Sequence, residues 1–508
     1  MQGSSRPDRQ LLDAAALCRH LLGEGSVHAF LAEHRSAVFP DELFADLFPT
    51  QRGRPSVPAD VIATVMVLQA LEGLSDRQAV RRLETDIAWK AAAGLALTDE
   101  GFHPTVLVLW RNKLRASAAP ERIFDAIRAV ITASGVIAGK TRRALDSTVL
   151  DDAVQRQDTV TMLVTQIRRV RRLIPELGTV WVRQHNLEGG RPPCDWEDPA
   201  DVDRLVSELV DDANELVWAT EDLALELTEE QADAVALLAL VAGQDVEPGE
   251  GPGQWRIATR TAADRVVSTV DPESRHTHKT AHAYRDGFKA HVATEPDTGL
   301  VTDCDLTPGN TPDAEVAPDL VDAEPEGTEI LGDSAYGTGE FRDHLAATAK
   351  SAVIKPAPLR PAVPGGFTLD DFDIDEDAGS VTCPAGITVV LSHHRRASFG
   401  ANCTTCPLRL RCTTAKDGRV IVLHPHHRHL AGARAQADTD AFDVVYRRWR
   451  PMVERSLAWL TRGTNRKLRY RGVERNQLWW SHRCAAINLQ RLLTLGLVIG
   501  DDGRWAIA

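Results

Sequence analysis

The strongest constraint on this chain is the order in which alternating and helical segments follow one another beyond residue 140. RRALDSTVL (142–150) alternates apolar with polar residues, as a strand does when one face is buried. GFKAHVATE (287–295) and LVTDCDLTP (300–308) repeat that pattern on either side of PDTG, whose proline, aspartate and glycine form turns, so the pair is a hairpin. DAEVAPDLVDA (313–323) then reads as a short helix, TEILGD (328–333) as a buried strand ending in Asp333, GTGEFRDHLAATA (337–349) as a helix and AVIKP (352–356) as a strand. Strand, hairpin, helix, strand, helix, strand is the order an RNase H-like mixed α/β sheet needs. One helical insertion follows the first strand, and a cysteine-containing insertion follows the last.

Upstream lies an all-α region. SVPADVIATVMVLQALEGL, SDRQAVRRLETDIAWKAAAGL and HPTVLVLWRNKLR, within 56–116, each carry apolar residues at three- and four-residue spacing, which predicts three short helices. Ser75 is placed to cap a helix, Gly73 and Gly94 to stop one and Pro104 to start one. The unit resembles a helix-turn-helix bundle, and DNA-end binding and plain packing are equally consistent with it. PERIFDAIRAVITASGVI (120–137) adds a further helix. Beyond the first strand, MLVTQIRRVRRLIPEL (162–177) and VDRLVSELVDDANELVWATEDLALEL (202–227) are long helical repeats. The expected units are a helical N-terminal domain (1–136), the first core strand (137–153), a helical insertion (154–255), the rest of the core (256–360), a cysteine-containing insertion (361–437) and C-terminal helices (438–508).

No run of about 18 apolar residues occurs, and MQGSSRPDRQ has no apolar stretch with a cleavage site, so a cytoplasmic protein without membrane attachment is expected. The net charge of −14 excludes a uniformly basic protein that coats DNA, because affinity for duplex DNA comes largely from cations facing phosphates. The basic residues are instead concentrated between Arg447 and Arg483, where only Glu454 and Glu474 oppose them. Acid gathers at 195–215 and 369–379, as solvated faces or loops.

Asp146 and Asp333 each stand near the end of an expected strand. Carboxylates that hold a hard cation such as Mg²⁺ belong there, since rigid strands fix the oxygens and leave one side of the ion open. A lone aspartate in that position is more often a turn or cap residue. A third acid comes from YRRWRPMVERSLAWLTRG (446–463), where Tyr446, Arg450 and Glu454 recur every four residues along one helix face. A surface Arg–Glu pair would show the same spacing. Pro451 predicts that this helix bends or begins there.

Taken in order, RGRPSVPADVIATVMVLQALEGLSDRQAVRRLETDIAWKAAAG, ALDSTVL, DPESRHTHKTAHAYRDGFKAHVATEPDTGLVTDCDLTPGNTPD, ILGDSAYGTGEF and RPMVERSLAWLTRGTNRKLRYRG resemble the DDE-type insertion-sequence transposases with an InsH-like N-terminal domain. The resemblance covers most of the chain. It implies that Asp146, Asp333 and Glu454 form a metal-binding catalytic triad holding two Mg²⁺ or Mn²⁺ ions, which cut DNA at the element's ends and join it to a target. It also implies a Tyr-Arg-Glu-Lys signature, from which this chain departs: Tyr446 is one residue early, and Thr461 stands where the lysine would fall, beside Arg462. Arg450 is expected to grip a DNA phosphate in bidentate fashion, and Arg462, Lys467, Arg469 and Arg471 to contact the DNA backbone. The implied partners are double-stranded DNA and, because two ends must be paired, a second copy of the chain when DNA is bound, in the cytoplasm with the nucleoid. No GxxxxGK[ST] loop is present, so ATP is not expected. A nuclease that cuts without joining, and a non-enzymatic zinc-containing DNA-binding protein, are the competing readings.

Cys383, Cys403, Cys406 and Cys412 follow the spacing C-x19-C-x2-C-x5-C, which suits structural zinc, with four reduced thiols as the alternative and His393 or His394 as substitute ligands. Cys18, Cys194, Cys304 and Cys484 are scattered, as in a reducing compartment. HPHHRHL (424–430) reads as a polar loop with some capacity for metal. Asp151, Asp152, Asp303, Asp305, Asn310 and Asp313 read as turn formers, the last four within reach of the site as supporting groups.

Overall fold

The structure is a computed structural model that describes residues 1–5, 12–50, 52–223, 226–260, 262, 264–280 and 283–508, with backbone only at 278–280 and 283. Residues 6–10 of the N-terminal stretch, Ala224 and Leu225 of the long insertion repeat, and Ala281 and His282 before the hairpin lie outside the described residues.

A six-stranded mixed sheet organises the chain: β1 (Arg142–Asp151), β2 (Arg275–Thr280), β3 (Ala283–Glu295), β4 (Leu300–Pro308), β5 (Glu329–Gly332) and β6 (Ser351–Ile354). Its spatial order is β4-β3-β1-β5-β6, and β2 pairs with the first part of β3. β3 runs antiparallel to β1, β2 and β4, whereas β1, β5 and β6 are mutually parallel neighbours. Period-two alternation sorts the side chains between the two faces. Ala144, Leu150, Phe288, Ala290 and Val292 belong to the core that also holds the N- and C-terminal helices. Leu145, Ala293 and Ile330 pack with Val316, Leu320, Phe341 and Leu345 of helices Asp313–Asp322 and Gly339–Ala347.

The first core is continuous from the N-terminal helices to the sheet. Helix Ala59–Glu72 is buried along nearly its whole length and packs against helix Val473–Thr494, which in turn covers β4. Such all-round burial follows from the absence of a polar face in ADVIATVMVLQALE. Buried Asn488 both accepts from and donates to the backbone of Val301 at 2.8 Å. Buried Arg483 donates to Trp459 O and Leu460 O, the last carbonyls of helix Asp440–Leu460, and to Ala70 O and Leu71 O of Ala59–Glu72. One guanidinium thus satisfies the orphan acceptors of two helix ends and ties them together.

The N-terminal segments form four helices where three were expected: Ala59–Glu72, Asp76–Thr85, Ile87–Ala92 and Thr105–Arg115. Asp86 makes the extra break, its backbone extended and its carboxylate capping the amides of Ala88 and Trp89. Ser75 and Gln78 form a capping box, and Gly73 ends its helix at φ 68°, a conformation a side chain disfavours.

Helices Thr159–Leu173, Pro199–Asp222 and Glu229–Gln244 enclose a separate core that includes Leu163, Ile167, Leu209, Leu216 and Val241. Small sheets around Phe372, Val381, Phe399 and Ile421 build a further core in the cysteine-containing insertion. Helix Asp440–Leu460 runs through Pro451 without ending, contrary to one expected outcome; Phe442, Val453, Leu457 and Leu460 bury one side of it across the missing hydrogen bond. Among the described residues no helix is long and apolar enough to cross a membrane.

Candidate active site

β1 and β5 pair in register at Arg142–Glu329, Arg143–Ile330 and Ala144–Leu331. Two residues further along each chain come Asp146 and Asp333, and residues two apart on a strand point the same way. The parallel register therefore carries both aspartates to the same corner of the sheet. There β5 stops, and Asp333 Oδ1 accepts from the amide of Ala335 at 2.9 Å. β1 continues to Asp151, so Asp146 lies inside the strand and not at its end as expected; what ends beside it is the pairing with β5. The edge of β1 beyond that point opens onto a cavity of about 760 Å³.

Helix Asp440–Leu460 contributes Arg450 and Glu454, one turn apart, to the same cavity. Arg450 sits at the centre of the acids: Nη2 is 3.1 Å from Asp146 Oδ1 and 3.7 Å from Asp333 Oδ2, and Nη1 is 3.7 Å from Glu454 Oε1. Nη1 also donates to Asp146 Oδ2 at 3.3 Å. The Arg450 side chain is only 8 % exposed. Burial opposes its charge, yet Asp146 and Asp333 outweigh burial and hold its pKa above the usual value. Burial lifts the Asp146 carboxyl above the ordinary carboxylate range, Arg450 pulling the other way. Tyr446 stacks on Phe442 with ring centroids 5.3 Å apart, and burial raises its phenol within the field of Arg450 and the three acids. Its place one residue early in the signature still leaves it beside the cavity.

The other expected cations separate. Thr461 lines the carboxylate cavity with its hydroxyl donated to Leu457 O, while the neighbouring Arg462 lines a second cavity with Trp459, Arg483 and Arg491. Arg469 donates to Gly73 O and so fastens the C-terminal segment to the end of an N-terminal helix. Lys467 and Arg471 are exposed. Arg466, not singled out in the sequence, is the cation from this stretch that reaches the carboxylate cavity.

Among the candidate supporting groups, Asp313 alone lines the cavity. Asp303 faces Arg128 at 3.6 Å, and Asn310 donates to Asp264 at 2.7 Å. Asp151 pairs with Arg285 at 3.1 Å, and Asp152 accepts from the Ser274 hydroxyl. Lys289, Arg285 and Thr277 also line the cavity and went unnoticed in the sequence, where only the alternation of KAH hinted that Lys289 and His291 share a face.

All eight cysteines are free thiols. Cys383, Cys403, Cys406 and Cys412 border one small cavity with Phe399 and Leu408, and burial raises the Cys412 thiol. His393 and His394 lie with tilted rings 3.8 Å apart between centroids and do not line that cavity. His424, His426 and His429 pair with Glu340 and Asp343 of helix Gly339–Ala347, so HPHHRHL docks on the core side of the insertion. Among the described residues, no group of three or more His, Cys, Asp or Glu side chains forms a ready-made metal cage.

A mixed α/β sheet with a carboxylate-lined cavity at its parallel corner suits an enzyme that processes nucleic acid. Two family models match the chain, the Transposase domain (DUF772) over residues 26–113 and the Transposase DDE domain over residues 382–493. Together they support a DDE-type insertion-sequence transposase. The DDE match takes in Glu454 and stops short of the two aspartates. No curated protein and no solved structure matches the chain.

Proposed function

We propose that this chain is an RNase H-like transposase that cleaves DNA at insertion-sequence ends and transfers the cut strands, with Asp146, Asp333 and Glu454 as its metal-binding triad. The observation that carries the reading is the convergence of these three acids, from β1, the end of β5 and a C-terminal helix, on one cavity and one guanidinium. The order β4-β3-β1-β5-β6, with β3 antiparallel and β5 and β6 parallel to β1, supports the RNase H-like assignment.

Carboxylate oxygens gathered around a shared positive charge fit hard divalent cations, Mg²⁺ or Mn²⁺, two per site. Such ions supply, when bound, Lewis-acid stabilisation of the attacking and leaving oxygens of an in-line phosphoryl transfer. The protein's own part is positioning. β1 and β5 fix the two aspartates, and the glutamate helix, anchored by Arg483, brings Glu454 over them. Arg450, within reach of all three acids, would be the group to receive a phosphate oxygen were those acids to hold a metal. Asp146 must lose its proton to hold a cation, and burial makes that loss harder, so activity falls as the solution is acidified.

Lys467 and Arg471, both exposed, and Arg462 in the second cavity are assigned to the DNA backbone; Arg469 keeps the helical N-terminal unit against the site. The helices matched over 26–113 hold the element's ends, and two copies of the chain pair on DNA, in the cytoplasm and nucleoid. The four cysteines around one cavity suit structural zinc, for which thiolates are good ligands, and such an ion would cross-link the small insertion.

The test is Mg²⁺- or Mn²⁺-dependent cleavage and joining on DNA carrying the sequences that flank the coding region, with Asp146→Asn, Asp333→Asn and Glu454→Gln alongside. Joined products lost in all three variants are expected. Cleavage without joining would replace transposition by a nuclease, and activity surviving any one substitution would remove that residue from the triad.

A further inference from the structure

Resting on the DNA reading above, we infer that Lys289 is a further substrate-binding residue of this site, whose ammonium contacts a phosphate of the strand in the carboxylate cavity while Asp313 holds it there. Lys289 lies on β3, and Asp313 is the first residue of helix Asp313–Asp322; both line the cavity that holds the three acids. Lys289 Nζ is 3.1 Å from Asp313 Oδ1 and donates to Thr311 O at 2.6 Å. An ammonium has three N–H donors. The Thr311 carbonyl takes one, and the ion pair with Asp313, whose Oδ1 accepts no hydrogen bond, draws the nitrogen against the wall, which leaves N–H donors for the cavity.

A lysine that serves only solubility extends into water. Here the side chain is 15 % exposed, and the long stem has given up rotamer freedom to stay there. Its neighbour on the same strand face, His291, is fully buried; Nε2 bonds the Thr307 hydroxyl at 2.9 Å, while Nδ1, 3.7 Å from Asp313 Oδ1, has no hydrogen-bond partner. Burial, and then Lys289 itself, pushes the His291 pKa down to about 3, so the imidazole is neutral and Lys289 is the full cation beside Asp313. Tyr336 closes the adjoining interior, its buried hydroxyl within the field of Asp313, Asp146 and Asp333.

Charge accounting leads to the same residue. Among the described residues four cations line the cavity: Arg450, Arg285, Lys289 and Arg466. Arg450 faces three acids, while Arg285 and Lys289 face one each, Asp151 and Asp313, both at 3.1 Å. A phosphodiester entering this acid-rich space needs a cation whose position is already set. The Arg285 side chain is 40 % exposed, whereas Lys289 is 15 % exposed and is held by the Thr311 carbonyl as well, so it is fixed before substrate arrives.

The experiment compares wild type with Lys289→Gln, Lys289→Arg and Asp313→Asn for binding to the duplex used above, over a series of KCl concentrations, with kcat and KM for cleavage. Each phosphate contact contributes about −0.9 to the slope of log K against log salt. Lys289→Gln is expected to make that slope shallower by about 1 and to weaken binding roughly tenfold at low salt, while Lys289→Arg keeps the slope. Asp313→Asn keeps the slope as well but lowers kcat, since the charge survives and its placement does not. Thermal melting confirms that each variant is folded; should Lys289→Gln not fold, the comparison of Lys289→Arg with Asp313→Asn decides. A folded Lys289→Gln with the wild-type slope would overturn the inference and leave the triad standing. So would Asp313→Asn with unchanged kcat and KM. Wild type that neither binds nor cleaves this DNA would remove the transposase reading itself, and this inference with it.

Discussion

Replacing Glu121 by glutamine should convert a pH-dependent weakness of the fold into a pH-independent contact. Glu121 stands just before helix Arg122–Ala133 and accepts a hydrogen bond from Gln477 of the C-terminal helix, so it lies in the seam between the N-terminal helices and the six-stranded sheet. Burial lifts its pKa from 4.5 to about 7; the Gln477 bond opposes that, and Asp125, Asp303 and Asp305 add to it. A carboxyl raised in the folded state favours folding while protonated. Its contribution is therefore whole below about pH 4.5 and is lost as pH rises through about 7. At about 1.4 kcal/mol for each pKa unit, the loss amounts to roughly 3 kcal/mol. Glutamine keeps the shape and a partner for Gln477 and cannot ionise. In scanning calorimetry from pH 4.5 to 8.5, Glu121→Gln should match wild type at the acid end and melt several degrees higher at the alkaline end. Asp303, which burial raises to about 6, declines over the same range, and losing the neighbouring Glu121 charge eases its ionisation, which adds to the advantage of the variant at the alkaline end. A difference that stays constant with pH, or a wild type that is more stable at pH 8.5, would refute this account of the seam.

Gly73→Ala forces a side chain into the left-handed region and against Asn465 Oδ1 at 2.8 Å, and urea unfolding should show a loss of about 1–3 kcal/mol. Arg483→Met takes a donor from four helix-end carbonyls, of which, among the described residues, Trp459 O alone keeps backbone amide donors; the expected cost is about 3 kcal/mol, and a variant as stable as wild type would show that water replaces the guanidinium. Metal analysis of purified protein should find one zinc per chain, lost in Cys406→Ser; wild type without zinc would leave the four thiols as a reduced cluster. The rate of metal-dependent cleavage should decline on acidification over a range set above the ordinary aspartate value, because burial raises Asp146, and a rate flat down to pH 4 would contradict that.

What could be read from the sequence, and what could not, divides along one physical line. Patterns that repeat within a segment were legible: the alternation in β1 and the hairpin, the helical spacing of Ala59–Glu72, the capping Ser75 and the glycine stop at Gly73 all depend on neighbours a few residues away. β2 escaped notice because RHTHKT has no apolar face, and only its partner β3 makes it a strand. Asp86 was missed for the opposite reason: apolar spacing continues across it, and the competing signal was a single capping side chain. The site shows the same division. The four-residue spacing of Arg450 and Glu454 put them on one helix face, but nothing local says that the guanidinium meets three acids from three segments as their shared counterion. Likewise the run of aspartates from Asp303 to Asp313 has uniform turn chemistry in sequence. The fold alone breaks the tie, because Asp303 sits on a strand facing Arg128, while Asp313 opens a helix lying over the strand face that carries Lys289 and His291. A residue whose role depends on the register between distant strands is invisible to any reading that counts along the chain, which is why the lysine proposed to hold substrate phosphate emerged only once β3 and that helix were seen together.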